Sequence, residues 1–388
     1  MRVGYVAPSL DDTTGWGRWC DDLLRHVREQ GVDPVIFTPV SARQHVPADL
    51  ARDPLFPVLP ELFDFAQSLR GLSRLKKLPD LWKVDVASLK LDLVHSLDAY
   101  PFGIYGDWLA RKAGVPHVLT THGRFGYIAN HRLLDRLWYR RVLRRAHSMV
   151  AGSQAVRQAV LRSFGDQLPP DRFRVIYNPI DFRQLEKVGA LPAGVPAEGP
   201  LLLAVTRFSP VKDIETLVRA HKLVREQFPD VPLYVVGPGN HDGNAYYRMV
   251  RDVVANEQIG GVHFVGRVPK DVLVAFYRRA TMLVHAARTL PDDFEASGLI
   301  LWEAGVFSVP CVASDSGGIG EVVATDDNGV LVEEHDPRAL ADGIVELLRD
   351  PERARRLGAG NLARARQSRW DKYVAEQVKA YHEAIAAR

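Results

Sequence analysis

The chain has 388 residues, a formal net charge of +3 and two cysteines, and no apolar run approaches the roughly 18 residues that a membrane-spanning helix needs. That length exceeds one ordinary core and predicts two domains, and single cysteines in different halves, Cys20 and Cys311, fit a reducing compartment rather than a disulfide framework. The charge is uneven: residues 1–190 carry 27 basic against 20 acidic side chains and residues 191–388 carry 23 against 27, so the halves stand at +7 and −4. The basic half is therefore expected to meet an anionic partner, an acidic acceptor or a lipid surface, and not nucleic acid. The opening enters a short strand without a long apolar leader, which makes a cytoplasmic protein the expectation, with peripheral attachment at the inner membrane surface as its extension.

Residues 2–7, Arg-Val-Gly-Tyr-Val-Ala, predict a buried strand, and Pro8 to Gly17 a loop rich in Asp, Thr and Gly. Trp19, Leu23 and Val27 then recur at helical spacing, Gly31 is a C-terminal stop, and Val35-Ile36-Phe37 begins a second strand. This βαβ opening builds a parallel sheet. Gly15 and Gly17 suggest a phosphate loop, yet the third glycine of a dinucleotide fingerprint is missing. From 63 to 90, Leu69, Leu72 and Leu75 alternate with Arg70, Arg74, Lys76 and Lys77, which fits a basic amphipathic helix on a membrane or, equally, a solvated helix or acceptor loop. Residues 91–95 and 118–123 predict strands that end in His95 and His122. Carboxyl ends of parallel strands line the ligand crevice of such sheets, and His122, followed by glycine, is the better site candidate of two that could both be structural.

Residues 131–147 make the most basic helix, with Arg132, Arg136, Arg140, Arg141, Arg144 and Arg145 set among Leu133, Leu134, Leu137, Trp138 and Val142. Its outer face is either solvated or a membrane-docking surface. A strand at 148–152, a helix at 154–164, a strand at 173–177 and the turn Asn178-Pro179-Ile180-Asp181 close the first half, and the Gly- and Pro-rich residues 183–199 read as a linker. The βα alternation then restarts. A strand at 201–205 carries Arg207 and Lys212 in its loop, a helix follows at 214–227, and strand 233–236 turns through Gly237-Pro238-Gly239. Strand 262–265 ends at Gly266-Arg267-Val268-Pro269, strand 282–285 leads towards Glu295, and strand 309–313 meets Ser316-Gly317-Gly318-Ile319-Gly320-Glu321, a loop whose backbone N–H groups could cradle an anion. Helices at 337–349, 351–366 and 370–386 complete the chain.

The second half is organised around Phe294 to Gly305. Glu295 and Glu303 stand eight positions apart, a little over two turns at about 3.6 residues per turn, so a helix through most of the stretch sets both on one side. Gly298 would open that helix, where unpaired N–H groups and the dipole favour a diphosphate. An amphipathic helix with two solvated glutamates fits the same segment.

In order and spacing, Gly15-Trp16-Gly17, Thr121-His122-Gly123, Asn178-Pro179-Ile180-Asp181, Thr206-Arg207 with Lys212, the Glu-x7-Glu stretch and the Gly-Gly-Ile-x-Glu loop resemble the retaining glycosyltransferases of family four over nearly the whole chain. The resemblance implies an α/β, GT-B fold: two Rossmann-like doubly wound domains facing across a cleft that closes during the cycle. Residues 1–182, with the C-terminal helix 371–388 crossing back, would form the acceptor domain, and 183–370 the nucleotide-sugar donor domain. It further implies transfer of a sugar from a nucleotide-diphosphate donor to a hydroxyl of a sugar, lipid-linked or small-molecule acceptor, with the leaving diphosphate assisting. No metal and no other cofactor is implied.

By the same resemblance, Arg207 and Lys212 neutralise the diphosphate, where arginine's fork and lysine's compact charge suit phosphate oxygens and stabilise the leaving group. Glu303 would accept hydrogen bonds from the ribose, and Glu295 would contact the donor sugar near the reacting centre. Ser297, Gly298 and Leu299 would offer N–H groups to phosphate or sugar, and Gly237 joins the donor-binding set. His122 would reach the donor sugar from the other domain, Gly15 and Gly17 the phosphate or acceptor, and Arg267 and Val268 would lie beside the base. The chain departs from the pattern at Thr14-Gly15, where Gly-Gly is common, at His285-Ala286, where Pro-Ser is common, and at Ala296-Ser297, where an aromatic often precedes Gly298. The last two flank the donor sugar and leave its identity open. A catalytically silent sugar-nucleotide-binding protein would keep this fold but lose Arg207, Lys212, Glu295 and Glu303, all present here. A GT-B-like sugar-nucleotide epimerase or a PLP-dependent phosphorylase does not predict this Glu-x7-Glu context.

Overall fold

The computed structural model describes residues 1–10, 15–39, 56–59, 85–127, 133–165 and 170–387. The basic segment read at 63–90 lies outside the described residues as far as residue 84, and so does Arg132. The chain divides into two compact units, Met1–Tyr177 with Trp370–Arg388, and Asn178–Arg369.

The first unit runs β1 (Arg2–Val6), α1 (Gly15–Glu29), β2 (Asp33–Pro39), β3 (Phe56–Leu59), β4 (Leu93–Ser96), α2 (Phe102–Ala113), β5 (His117–Thr121), α3 (Leu133–Arg145), β6 (Ser148–Ala151), α4 (Gln154–Phe164) and β7 (Phe173–Val175). Its strands form one parallel sheet in the order β3-β2-β1-β4-β5-β6-β7. Successive residues of a strand point to opposite faces, and here both faces are covered, so the strands read as continuous apolar runs. Val3 and Tyr5 pack with Trp19, Leu23 and Val27 of α1 and with Trp370, Tyr373 and Tyr381 of the terminal helix. Val6 and Val94 pack on the other side with Phe102 and Leu109 of α2. The tie to the terminal helix is also polar: Tyr381 donates to Tyr5 Oη at 3.2 Å, and His95 Nδ1 lies 2.7 Å from Tyr381 Oη. Two glycines hide α2 from sequence periodicity, because Gly lowers helix propensity. Gly106 is there for close packing: a Cβ on it would lie 2.0 Å from Ser96 Oγ.

The second unit continues with β8 (Leu202–Val205), α5 (Ile214–Arg225), β9 (Leu233–Val236), α6 (Ala245–Asn256), β10 (Val262–Gly266), α7 (Lys270–Arg279), β11 (Met282–His285), α8 (Leu299–Val306), β12 (Cys311–Ser314), α9 (Ile319–Val322), β13 (Gly329–Val332), α10 (Pro337–Arg349) and α11 (Pro351–Ala365); the terminal helix is α12 (Trp370–Ala386). Its parallel order is β10-β9-β8-β11-β12-β13, again with an apolar cluster on each face. The segment read as a linker is strapped onto this unit: Leu185 is buried, Gly189 N–H donates to Asp271 O at 2.8 Å, and Tyr234 donates to Gly194 O at 3.2 Å. In each sheet the winding direction reverses once, between β1 and β4 and between β8 and β11. Loops leaving adjacent strands on opposite sides of such a point open a crevice at the carboxyl ends, the place where doubly wound sheets take ligands.

Candidate active site

The loops after β8 and β11 flank the switch point of the second sheet, and they carry the two charges that meet there. Lys212 ends a short 3-10 turn, Pro210–Lys212, and its ammonium is ion-paired with the Glu295 carboxylate 83 residues away. The two side chains keep only 15% and 13% exposure. His285, buried at the end of β11, brings Nε2 to 3.4 Å from the same carboxylate oxygen, while the other oxygen accepts from Gly298 N–H at 3.3 Å. Burial alone would raise the pKa of Glu295; the Lys212 ammonium and His285 together outweigh it and hold the carboxyl well below the usual carboxylate range. Burial lowers the pKa of His285, against the pull of Glu295, so its imidazole is neutral at pH 7.

The Lys212 turn is clamped from behind. Asp213 is fully buried and sits in the left-handed region at φ 42°, a conformation that Asp tolerates better than most residues. Arg288, in the loop after β11, lies 3.6 Å from Asp213 and 3.1 Å from Glu215, and donates from Nε to Pro210 O at 3.1 Å. His335 Nδ1 lies 2.8 Å from the second Asp213 oxygen. Arg207 is exposed, and its guanidinium has no hydrogen bond or ion pair among the described residues.

Glu295 precedes α8 rather than riding on it, since Gly298, at φ 53°, caps the helix that begins at Leu299. Glu295 and Glu303 therefore have separate surroundings. Glu303 accepts from Lys270 Nζ at 2.5 Å and from Tyr277 Oη at 2.8 Å, and burial followed by the Glu303 charge pushes the pKa of that phenol up. Each Glu303 oxygen retains a further lone pair for a hydroxyl donor. The Gly317-Gly318 loop serves the acid directly. Gly318 N–H donates to Glu295 O at 2.8 Å, so that donor is already committed, and a Cβ on Gly317 would fall 2.2 Å from the same oxygen. Gly237 has a similar reason to be glycine, because a Cβ there would meet Thr206 O at 2.0 Å. Ser297 Oγ accepts from Asn178 Nδ2 at 3.3 Å, and Leu299 and Val268 pack at the edge of the apolar cluster on this face, with Arg267 exposed beside them.

In the first unit the helix begins at Gly15, so Gly15 and Gly17 lie in its first turn, where the sequence had suggested loop. Trp16, between them, stacks on Phe125 at 5.5 Å and meets Phe102 edge-on at 6.1 Å. Trp19, one turn on, meets the ring of half-buried His122 at 4.2 Å. Sequence reasoning thus brought out residues that gather at one end of each sheet, but it missed His285, Lys270, Asp213 and Arg288 as their partners. His285 had a signal, since it closes the strand before Glu295 and departs from the family pattern.

Parallel doubly wound units, one of them with opposed charges gathered at its switch point, belong to the class of α/β proteins that take ligands at the carboxyl ends of their strands. Comparison with known proteins narrows the class. The model of Glycosyltransferase Family 4 matches residues 13–184, and that of Glycosyl transferases group 1 matches residues 192–363. The chain is 26% identical over 317 residues to an uncharacterized glycosyltransferase of Methanocaldococcus jannaschii, covering 82% of each chain. It is 27% identical over 409 residues to a D-inositol 3-phosphate glycosyltransferase of Thermobispora bispora, covering 97% of this chain and 92% of the relative. In fold it is similar to the Anabaena protein HepE, solved in complex with UDP and glucose, with a TM-score of 0.73 at 20% identity over 98% and 99% of the two chains. The chain belongs to glycosyltransferase family 4, group 1, with the GT-B fold, and is a glycosyltransferase that uses a nucleotide-sugar donor. Among the described residues no helix is long and apolar enough to cross a membrane, and no three His, Cys, Asp or Glu side chains are grouped to hold a metal ion.

Proposed function

We propose that this enzyme transfers the sugar with retention of its anomeric configuration, holding the donor diphosphate on Arg207 and Lys212 without a metal ion. The observation that carries the reading is the convergence of Lys212 and Glu295 at the switch point of the second sheet. As the bond from the anomeric carbon to the phosphate oxygen breaks, charge grows on the diphosphate, and fixed cations stabilise that change more than the ground state. The acceptor hydroxyl then adds on the same face and gives its proton to the departing phosphate oxygen. Double displacement would need a second carboxylate about 5–5.5 Å from the first. Glu303, engaged by Lys270 and Tyr277, is a poor fit to that role, and we assign it to the ribose hydroxyls. Glu295 is assigned to the donor sugar, with Ser297, Gly298 and Leu299 beside it, and His122 to sugar recognition from the first unit. Gly237, Arg267 and Val268 are assigned to the nucleotide, and Gly15 and Gly17 to the phosphate or acceptor.

UDP-glucose, named with a solved HepE complex, is the first donor to try, and inositol 3-phosphate, named for the relatives, the first acceptor. A thermal-shift panel of UDP-, GDP- and ADP-sugars finds the donor, because a ligand that binds the native state stabilises it by mass action. NMR of the product from an α-linked donor then reads the stereochemistry. An inverted product, or a sugar adduct trapped on Glu295 in intact-protein mass spectrometry, overturns the mechanism.

A further inference from the structure

Helix α3 has two unlike faces. Tyr139, Val142 and Leu143 are buried in the first unit. On the outer side Leu137 and Trp138 are 49% and 44% exposed, and with Arg140, Arg141 and Arg144 they line an open cavity of about 580 Å³. Residues 137, 140, 141 and 144 fall on one stripe at the spacing of three and four that makes helical neighbours. Arg145, by contrast, is tied to Asp107 at 3.3 Å, whereas Arg140, Arg141 and Arg144 have no hydrogen bond or ion pair among the described residues. Asp135 is the only acid of the helix. A solvated helix face commonly interleaves both signs of charge and seldom exposes a neighbouring tryptophan and leucine.

We infer that this face of α3 docks the enzyme on an anionic lipid bilayer. The chemistry matches each layer of such a surface. An indole prefers the headgroup level, with its ring in the apolar boundary and its N–H towards water, and the leucine side chain enters beside it. The guanidinium groups meet lipid phosphates as bidentate donors in a negative surface potential. The +7 balance of residues 1–190 adds longer-range attraction of the same sign. An acidic polypeptide would use the arginines but leave Trp138 without a role. The inference is independent of the donor-site reading, whose residues lie elsewhere, so either stands if the other fails.

The test is sedimentation of the full chain with vesicles of phosphatidylcholine alone or mixed in equal parts with phosphatidylglycerol. Binding is expected to the mixed vesicles only, and to collapse at 1 M NaCl, where the Debye length falls to about 3 Å. The triple variant Arg140→Gln, Arg141→Gln, Arg144→Gln is expected to bind about a hundredfold more weakly, about fivefold per arginine. The corresponding triple lysine variant should bind between that variant and the wild type, keeping the charge but losing the bidentate contacts, and Trp138→Ala about tenfold more weakly than the wild type. All these side chains are at least partly exposed, and unchanged melting temperatures confirm folding. Failure of the wild type to bind mixed vesicles at low salt overturns the proposal, as does full binding by the glutamine variant. Displacement by polyglutamate with no effect of Trp138→Ala would make the face an acidic-peptide site instead. Displacement by inorganic phosphate beyond that by NaCl of equal ionic strength would make it a free-phosphate site.

Discussion

Replacing Lys212 by alanine strands the Glu295 carboxylate between burial and a neutral imidazole. Truncating one partner of a buried ion pair costs about 3–5 kcal/mol; the residual exposure of 15% and 13% at this pair reduces that to about 2–3 kcal/mol. For a unit of this size such a loss lowers Tm by about 5–10 °C. The effect on turnover is separate, since removing a preorganised charge from a developing diphosphate costs about 3–4 kcal/mol, or a hundred- to a thousandfold in kcat. Scanning calorimetry and initial rates on Lys212→Ala, Glu295→Gln and the double variant separate the two. The double variant should regain most of the lost Tm, because no uncompensated charge remains, yet stay inactive.

The pH dependence of this variant has a definite sign. In the wild type the Glu295 pKa is depressed, so its contribution to stability is present above the unfolded value of about 4.3 and is lost as pH falls through the folded one. Without Lys212 burial is opposed by His285 alone and the folded pKa moves up, so the variant's deficit should shrink as pH falls through that raised value. Near-normal turnover in Lys212→Ala, or a double variant no more stable than the single, refutes the reasoning.

Arg207→Ala should lose activity by about a hundred- to a thousandfold. Its Tm should barely move, because the guanidinium is exposed and without a partner among the described residues; a large melting shift would assign it a structural role instead. Transfer should survive EDTA, with Arg207 and Lys212 supplying the charge that a divalent ion would bring, and complete loss restored only by manganese or magnesium would count against the site. Gly317→Ala should cost about 1–2 kcal/mol for its left-handed φ of 58° alone, and more for the 2.2 Å approach to Glu295 O, with kcat falling more than Tm; wild-type kinetics would mean that the Glu295 loop is not set by this contact.

How much of this was legible beforehand follows from the range of the interactions involved. Buried strands announce themselves as short apolar runs, so β1, β8, β11 and β12 could be read directly, and α12 declared both of its ends. Gly298 was readable as a helix start because capping is local chemistry, and Arg207, Lys212, Glu295 and Glu303 could be picked out by type and spacing. Other elements escaped: α2, diluted by Gly103 and Gly106, the helices α6 and α7, and the strands β3 and β13.

Tertiary structure alone decided which charges meet. Lys212 finds Glu295, Lys270 finds Glu303 and Arg288 finds Asp213 across 83, 33 and 75 residues, pairings that depend on β8 lying beside β11 in the sheet. Strand order is set by how the crossover helices pack, a non-local property that no window of sequence contains. The same holds for Gly317, which a sequence reader takes for an anion loop until the backbone of Glu295 is seen against it. The chain states locally which residues can carry charge and turn tightly. Their common address at the carboxyl ends of the strands exists only once the sheet has assembled.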